Sequence, residues 1–224
     1  MHWAMRDVPD GWFHHAEVLL PLVEMVKPFR MLEVGSYKGQ SAVALARVLG
    51  QWGGTLTCLD VWNQTPSGPA DVYPEFLANV VASGVTNITP IRAESVAAAQ
   101  GVWDTFDAVY IDADHTEASV TADLAAWWPH LAVDGLLAGD DYNQPEYPGV
   151  KQAWDVFGRA VQPVIGPPDG QRGLVWLIKG VGRPALWSGT AEEPVPNRVH
   201  TTCAVCGRVV WADHVSAGVC VLCR

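Results

Sequence analysis

Residues 107–115, DAVYIDADH, decide the fold class because they join the core of a strand to a group of polar side chains. Residues 109–111 are apolar and predict a buried strand. Three polar side chains follow this strand: Asp112, Asp114 and His115. A second apolar run, at 136–138, is followed by two more acids: Asp140 and Asp141. Because ligands bind outside the carboxyl ends of the strands in an open parallel sheet, we expect these side chains to meet at one sheet edge.

Strands and helices alternate on both sides of this stretch. The predicted strands are residues 30–34, 55–60, 87–92, 106–111 and 135–139. The predicted helices are residues 12–27, 39–50, 73–83, 95–100, 116–128 and 148–160. Residues 161–180 predict a hairpin of two strands around a Pro/Gly turn. The alternation predicts a doubly wound, Rossmann-like α/β fold whose sheet is mostly parallel and ends in an antiparallel hairpin.

The chain divides into three segments by composition. We assign residues 1–180 to the α/β domain, because the alternation of strands and helices ends there. Residues 181–198 gain Pro, Gly and charge and are predicted to be a linker. Residues 199–224 form a tail that is too short to build a hydrophobic core of its own.

Charge and hydropathy exclude several classes of protein. The formal net charge of −10 argues against a broad nucleic-acid surface, which needs Lys and Arg. No apolar run approaches the length of a membrane span, so no membrane partner is expected. The first residues lack the basic start and apolar core of a signal peptide, and we therefore expect a cytoplasmic location.

The stretch LEVGSYKGQS, residues 32–41, lies between a predicted strand and a predicted helix. Gly35 and Gly39 allow a tight turn and a close approach to a ligand, and the helix beyond offers free N–H groups to a carboxylate. The spacing is neither the dinucleotide-binding glycine pattern nor a phosphate loop. Asp60 ends the next strand, where it is placed either to bind ribose hydroxyls or to act as a solvated turn acid or helix cap. Together with Glu33 and the glycines, we favour ribose.

These motifs carry a resemblance to a known family. LEVGSYKGQSA resembles the first motif of the metal-dependent O-methyltransferases of the catechol type, within the class I S-adenosylmethionine-dependent methyltransferases. The stretch from IDADH to AWWPHLAVDGLLAGDDY is similar to relatives that include the macrocin-type sugar O-methyltransferases. The resemblance covers about residues 28–180. It implies an enzyme that transfers a methyl group from S-adenosylmethionine to a hydroxyl of a sugar or another small polyhydroxylated acceptor.

The resemblance also implies roles for individual residues. Glu33 and Gly35 would flank the methionine part of the cofactor, and Tyr37 and Ser41 would contact its amino-acid end. The ribose and adenine contacts fall on two further residues: Asp60 and Ser95. Three residues fall on the positions of a divalent-metal site, for Mg²⁺ or a similar cation: Asp112, Asp140 and Asp141. Asp112 would also lie beside the cofactor. Where the catechol enzymes have a basic lysine, this chain has His115.

A hydroxyl is a poor nucleophile while it keeps its proton, so a base is expected near the metal site. His115 is the more obvious base at neutral pH, and Asp114 is the rival. Asp114 and His115 could instead cap the helix that begins near Thr116. Asp140 and Asp141 could also be a solvated turn. Since three carboxylates offer hard oxygen ligands and leave coordination positions for two substrate oxygens, we favour the metal site and a vicinal diol as acceptor.

The tail carries two paired cysteine hooks separated by 13 residues: Cys203 with Cys206 and Cys220 with Cys223. Such pairs predict a closed structural Zn²⁺ site of four thiolates, in a small zinc ribbon. Disulfides are the alternative, which a cytosolic chain disfavours. The ribbon could bind a protein partner, dock on its own domain or build a homo-oligomer. A further alternative is a non-catalytic module in which the methyltransferase fold is a scaffold and the ribbon recruits a partner.

Overall fold

The computed structural model describes residues 4–5, 9, 11, 13–65, 67–101, 105–157, 162–165, 173–180, 200–202, 209–211, 215–216 and 219–220. For the strand at 162–165 and the strands after residue 199, only the backbone is described. The chain separates into two compact units, Met1–Trp187 and Ser188–Arg224. Among the described helices, none has the length and apolar character needed to cross a bilayer.

The first unit alternates strands with helices. Its α-helices are α1 Ala16–Val26, α2 Gln40–Gly50, α3 Tyr73–Ser83, α4 Ser95–Gln100, α5 Glu117–Trp127 and α6 Pro148–Phe157, with a 3₁₀ turn at Trp128–His130. Its strands are β1 Arg30–Val34, β2 Thr55–Asp60, β3 Gln64–Thr65, β4 Gly68–Pro69, β5 Ile88–Arg92, β6 Phe106–Ile111, β7 Leu131–Gly139, β8 Gln162–Ile165 and β9 Gly173–Ile178. The second unit holds β10 His200–Thr202, β11 Val209–Trp211, β12 Val215–Ser216 and β13 Val219–Cys220.

Seven of these strands form the main sheet, in the order β5-β2-β1-β6-β7-β9-β8. All neighbours from β5 to β7 pair in parallel, and β9 runs antiparallel to both β7 and β8. This confirms the predicted doubly wound, mostly parallel sheet with an antiparallel C-terminal hairpin. The order reverses between β1 and β6, so the crevice outside their carboxyl ends is the expected ligand site.

Alternating residues of the strands enter two separate cores, one on each face of the sheet. Met31 and Tyr110 belong to the core that α1, α2 and α3 cover. Their chain neighbours Leu32 and Val109 belong to the core that α5 and α6 cover. Because successive strand side chains point to opposite faces, a strand buried on both faces needs a continuous apolar run. This requirement explains the runs that mark β6 and the end of β7 in the sequence.

Two of the predicted elements begin about four residues away from their predicted start. Helix α1 begins at Ala16, whereas the sequence predicts a start at residue 12. Strand β7 begins at Leu131 and not at residue 135, because Asp134 and Gly135 do not form the turn that this pair suggests. They lie in a bulge, where the pairing with β6 shifts register and Asp134 has a φ of 62°.

Candidate active site

The loop between β1 and α2, residues 35–39, is called the glycine loop here. Gly35 has a φ of 88° and Gly39 a φ of 90°, a region that L-residues rarely adopt. A β-carbon on Gly35 would lie 2.6 Å from the carbonyl carbon of Asp112 and 2.8 Å from the Cα of Ala113. The glycine loop therefore packs its backbone directly against the end of β6, which only a residue without a side chain allows.

Glu33 lies beneath the glycine loop and is fully buried. Its Oε2 accepts hydrogen bonds from Ser36 Oγ at 2.6 Å and from the Cys58 thiol at 3.5 Å. Its Oε1 is buried without a hydrogen-bond partner in the described part of the chain. Burial raises the pKa of Glu33 from an ordinary 4.5 to about 7, although the Ser36 hydroxyl opposes the shift.

Asp60 fixes the conformation of the glycine loop. Its Oδ2 accepts the backbone N–H of Ser36 at 3.0 Å and that of Tyr37 at 2.9 Å. Its Oδ1 accepts the N–H of Trp62 at 2.7 Å. A carboxylate has about four lone-pair sites, so Asp60 keeps room for roughly one further donor. Tyr37, with a φ of 44°, is held in a strained conformation by these bonds.

Two other residues proposed for cofactor contacts lie at helix starts. Ser41 is buried in the first turn of α2. Ser95 begins α4, and its Oγ accepts a hydrogen bond from Trp127 Nε1 at 2.8 Å. Ser95 also bonds to the buried Asp123, whose pKa is raised because burial outweighs that bond. Ser95 therefore ties the start of α4 to α5.

Three side chains meet where β6 and β7 end: Asp112, His115 and Asp141. One ligand atom from each lies within 4.8 Å of the others, and we call the three the acid–histidine cluster. His115 Nε2 lies 3.0 Å from Asp141 Oδ2. Removal from water raises the pKa of Asp112 well above its ordinary value, and the charges of Asp140 and Asp141 add to the shift. A cation at this place would relieve that repulsion.

Asp140 lies beside this cluster but is buried among protein groups. Its Oδ1 lies 3.1 Å from Nε2 of the buried His15 and accepts the N–H of Asp141 at 2.8 Å. Its Oδ2 accepts the Tyr110 hydroxyl at 2.9 Å. The sequence reading grouped Asp140 with Asp112 and Asp141 as ligands. The structure brings the latter two together with His115 and surrounds Asp140 with protein donors.

The two candidate bases have different surroundings. Asp114 Oδ1 accepts the N–H of Thr116 at 2.7 Å, directly before α5. Partial burial raises the pKa of Asp114, but the bonds from Thr116 and Ser119 outweigh it, so the pKa lies below the ordinary value. His115 stacks on Tyr147, with ring centroids 4.0 Å apart and planes 13° from parallel. Asp114 thus accepts a hydrogen bond from the backbone just before α5, while the His115 side chain is turned towards Asp141.

Three contributors were not assigned to the site from the sequence: His15, Tyr110 and Tyr147. His15 stands at a predicted helix start, where an amphipathic surface was the simpler interpretation. Tyr110 stands inside the apolar run of β6, where a core residue is expected. Tyr147 stands in the loop after Asp141, several residues beyond the end of a strand, where no pattern indicates a site residue. The four cysteines of the predicted zinc site lie outside the described residues, except for the backbone of Cys220.

Residues 32–142 match a family described as a methyltransferase domain. No curated protein sequence matches the chain. A candidate O-methyltransferase from Klebsiella pneumoniae is 20% identical, with a TM-score of 0.61 over 80% of this chain and 89% of the other.

Two further structures have a similar fold. The O-methyltransferase from Bacillus cereus, solved with SAH, is 17% identical, with a TM-score of 0.60 over 77% of this chain and 84% of its own. The O-methyltransferase TomG from Streptomyces achromogenes, involved in tomaymycin synthesis and solved with SAM, is 15% identical, with a TM-score of 0.58 over 80% and 85%. At these identities the likeness establishes the fold.

Proposed function

The chain is a methyltransferase enzyme, and we propose that it transfers a methyl group from S-adenosylmethionine to a hydroxyl oxygen with the help of a divalent cation. The acid–histidine cluster carries this proposal, because it joins hard ligands to a potential base within 4.8 Å. Structures with a similar fold are O-methyltransferases solved with SAM or SAH, which supports the same donor here.

The residues around the glycine loop fit S-adenosylmethionine. The close approach at Gly35 leaves no side chain between the loop and the end of β6. Glu33 keeps one buried oxygen without a partner, and Asp60 keeps acceptor capacity for one hydroxyl. Free N–H groups at the start of α2 suit a carboxylate. When bound, the cofactor supplies a methyl group on a positively charged sulfur.

The acid–histidine cluster fits a divalent cation. Two carboxylates are oxygen ligands that Mg²⁺ and Mn²⁺ accept, and a cation would offset the burial and the charges of Asp140 and Asp141 that raise the pKa of Asp112. When bound, the cation would lower the pKa of a coordinated hydroxyl. We assign Asp112 and Asp141 to the cation. Asp140 is assigned a supporting place, since two hydrogen-bond donors and the His15 imidazole surround it.

We assign the acceptor's proton to His115. Its ring is held by the Tyr147 stack and by Asp141, which orient Nε2 within the cluster. Asp114 is a weaker base, because its lowered pKa and its bond to Thr116 both favour the unprotonated form in its present place. Two carboxylates leave coordination positions for two acceptor oxygens, so we propose a small molecule with neighbouring hydroxyls, such as a sugar or a catechol.

The tail is proposed to hold a structural Zn²⁺. The described backbone contains two antiparallel strand pairs, β10 with β11 and β12 with β13. In the sequence, Cys203 and Cys206 stand between the first two strands, while Cys220 and Cys223 stand at and beyond the last. Short strand pairs of this size need an additional constraint to be stable, and four thiolates around zinc would provide it.

A set of three variants tests the proposed reaction. Methyl transfer to a catechol and to a sugar diol is measured by release of the demethylated cofactor, with and without chelator. We expect activity to disappear with chelator and to return with Mg²⁺ or Mn²⁺. Asp141→Asn should weaken Mn²⁺ binding, whereas the exposed acid in the same loop, Glu146→Gln, is the matched control. His115→Ala should lower turnover and leave the Mn²⁺ affinity close to that of the wild type.

Two results would contradict the assignments. Full activity in the presence of chelator and in Asp141→Asn would remove the cation from the reaction. A loss of Mn²⁺ affinity in His115→Ala as large as that in Asp141→Asn would make His115 a ligand, and Asp114→Asn would then be the variant that must lose turnover.

A further inference from the structure

We propose that His15, from the segment before α1, is a positioning residue for the cation site and acts through Asp140. The inference rests on the proposed function, because it concerns the same acid–histidine cluster. His15 is completely buried, and its Nε2 lies 3.1 Å from Asp140 Oδ1. Because both side chains are buried, neither can turn towards water, and the contact with His15 restricts the orientation of the Asp140 carboxylate.

Asp140 connects His15 to both acids of the cluster. On one side, its Oδ1 accepts the backbone N–H of Asp141 at 2.8 Å. On the other side, its Oδ2 accepts the Tyr110 hydroxyl, which lies 3.3 Å from Asp112 Oδ2. The orientation of Asp140 therefore sets where both Asp112 and Asp141 place their oxygens. His15 fixes that orientation from outside the sheet.

The segment that carries His15 is also attached to the start of α2, directly after the glycine loop. Two residues earlier, the N–H of Phe13 donates to Gln40 Oε1 at 2.7 Å, at the first residue of α2. The Phe13 ring also packs edge-on against Tyr110, with centroids 6.4 Å apart. Residues 13–15 thus contact the start of α2, beside the proposed cofactor site, and also Tyr110 and Asp140, beside the proposed cation site.

Loss of the His15 imidazole should loosen the cluster and weaken cation binding. Partners that orient the ligands of a metal typically contribute a factor of about 10–100 to its affinity. We therefore expect the dissociation constant for Mn²⁺ to rise about 10- to 100-fold in His15→Leu. Binding of S-adenosylmethionine should change little, because Asp60 holds the glycine loop through bonds that do not involve His15.

The experiment measures Mn²⁺ binding by electron paramagnetic resonance on the full chain, with Asp141→Asn identifying the signal of this site. His15→Leu removes the polar contact with Asp140, and His15→Gln places a polar N–H at a reach similar to that of Nε2. His14→Leu is the matched control, since His14 is exposed beside it. Calorimetry with S-adenosylmethionine and a melting curve accompany each variant. If His15→Leu does not fold, His15→Asn takes its place, because its amide stops short of Asp140.

A double variant separates positioning from general destabilisation. If His15 acts through Asp140, the loss of Mn²⁺ affinity caused by His15→Leu should shrink when Asp140→Asn is already present. We expect weaker binding in His15→Leu, recovery in His15→Gln and no change in His14→Leu. Unchanged or tighter Mn²⁺ binding in His15→Leu, or full additivity with Asp140→Asn, overturns the role of His15 while leaving the cation site in place. If the wild type binds no Mn²⁺, both this inference and the proposed cation site fail.

Discussion

Replacing Gly35 by alanine should damage the protein far more than replacing another glycine with a similar φ. An alanine at a positive φ costs about 1–2 kcal/mol of folding free energy. At Gly35, the added β-carbon would also lie 2.6 Å from the carbonyl carbon of Asp112, which is backbone and cannot swing aside. Overpacking of this kind costs a further amount of about 1–3 kcal/mol. The expected total for Gly35→Ala is about 2–5 kcal/mol.

Gly84 provides the matched control. Its φ is 73°, close to the 88° of Gly35, but a β-carbon there would meet nothing within 4 Å. Gly84→Ala should therefore lose only the conformational part, about 1–2 kcal/mol. Urea denaturation followed by tryptophan fluorescence compares the two variants with the wild type, and the difference between them isolates the contact with β6.

Gly35→Ala should also weaken ligand binding, because the added β-carbon displaces parts of the site. The conflict at Gly35 can be relieved only if the glycine loop moves or if the end of β6 moves, and Asp112 lies at that end. Gly35→Ala should therefore weaken binding of both S-adenosylmethionine and Mn²⁺, while Gly84→Ala leaves both unchanged. Equal stability losses in the two variants would refute the close packing on which this reasoning depends.

Two further predictions concern Glu33 and the tail. Because the pKa of Glu33 rises from 4.5 to about 7 on folding, its carboxyl holds a proton in the folded state at pH values where the unfolded chain has lost it. The wild type should thus lose about 3 kcal/mol of stability relative to Glu33→Gln as the pH rises from 4.5 to 7; a parallel pH dependence of the two proteins would contradict this. Metal analysis should find about one zinc per chain, and Cys206→Ser should release it and expose the tail to protease while the α/β domain stays folded. A metal-free, oxidised tail would show disulfides instead.

The sheet could be predicted from the sequence because its signals are local. Strands buried on both faces must be apolar throughout, so β6 and the end of β7 stand out as continuous runs. The acids after these runs mark the carboxyl ends, where parallel strands bring distant residues together. The bulge in β7 was missed, because Asp134 and Gly135 suit a turn and a bulge equally well, and the pairing with β6 decides between them.

The sequence could not predict which acids join the acid–histidine cluster. The outcome depends on the φ of Asp141 and on the contact of Asp140 with His15, which is distant in the sequence. Asp140 and Asp141 are adjacent acids that the sequence treats alike. Asp141 adopts a φ of 56°, and its side chain joins Asp112 and His115, while that of Asp140 turns towards His15. No local pattern links His15 to a strand end so far along the chain. Only the packing of the segment before α1 against β6 and β7 brings them together.

Asp112 joins the two halves of the site through different parts of the same residue. Its backbone carbonyl abuts Gly35 of the glycine loop, and its carboxylate belongs to the acid–histidine cluster. Neither half can shift by much without displacing the other, because backbone contact leaves no side chain to absorb the movement. A direct methyl transfer requires donor and acceptor to be aligned within a fraction of an ångström. Close packing at Gly35 therefore gives the proposed reaction its alignment, and this explains why the loop is built on a glycine at the point where it meets β6.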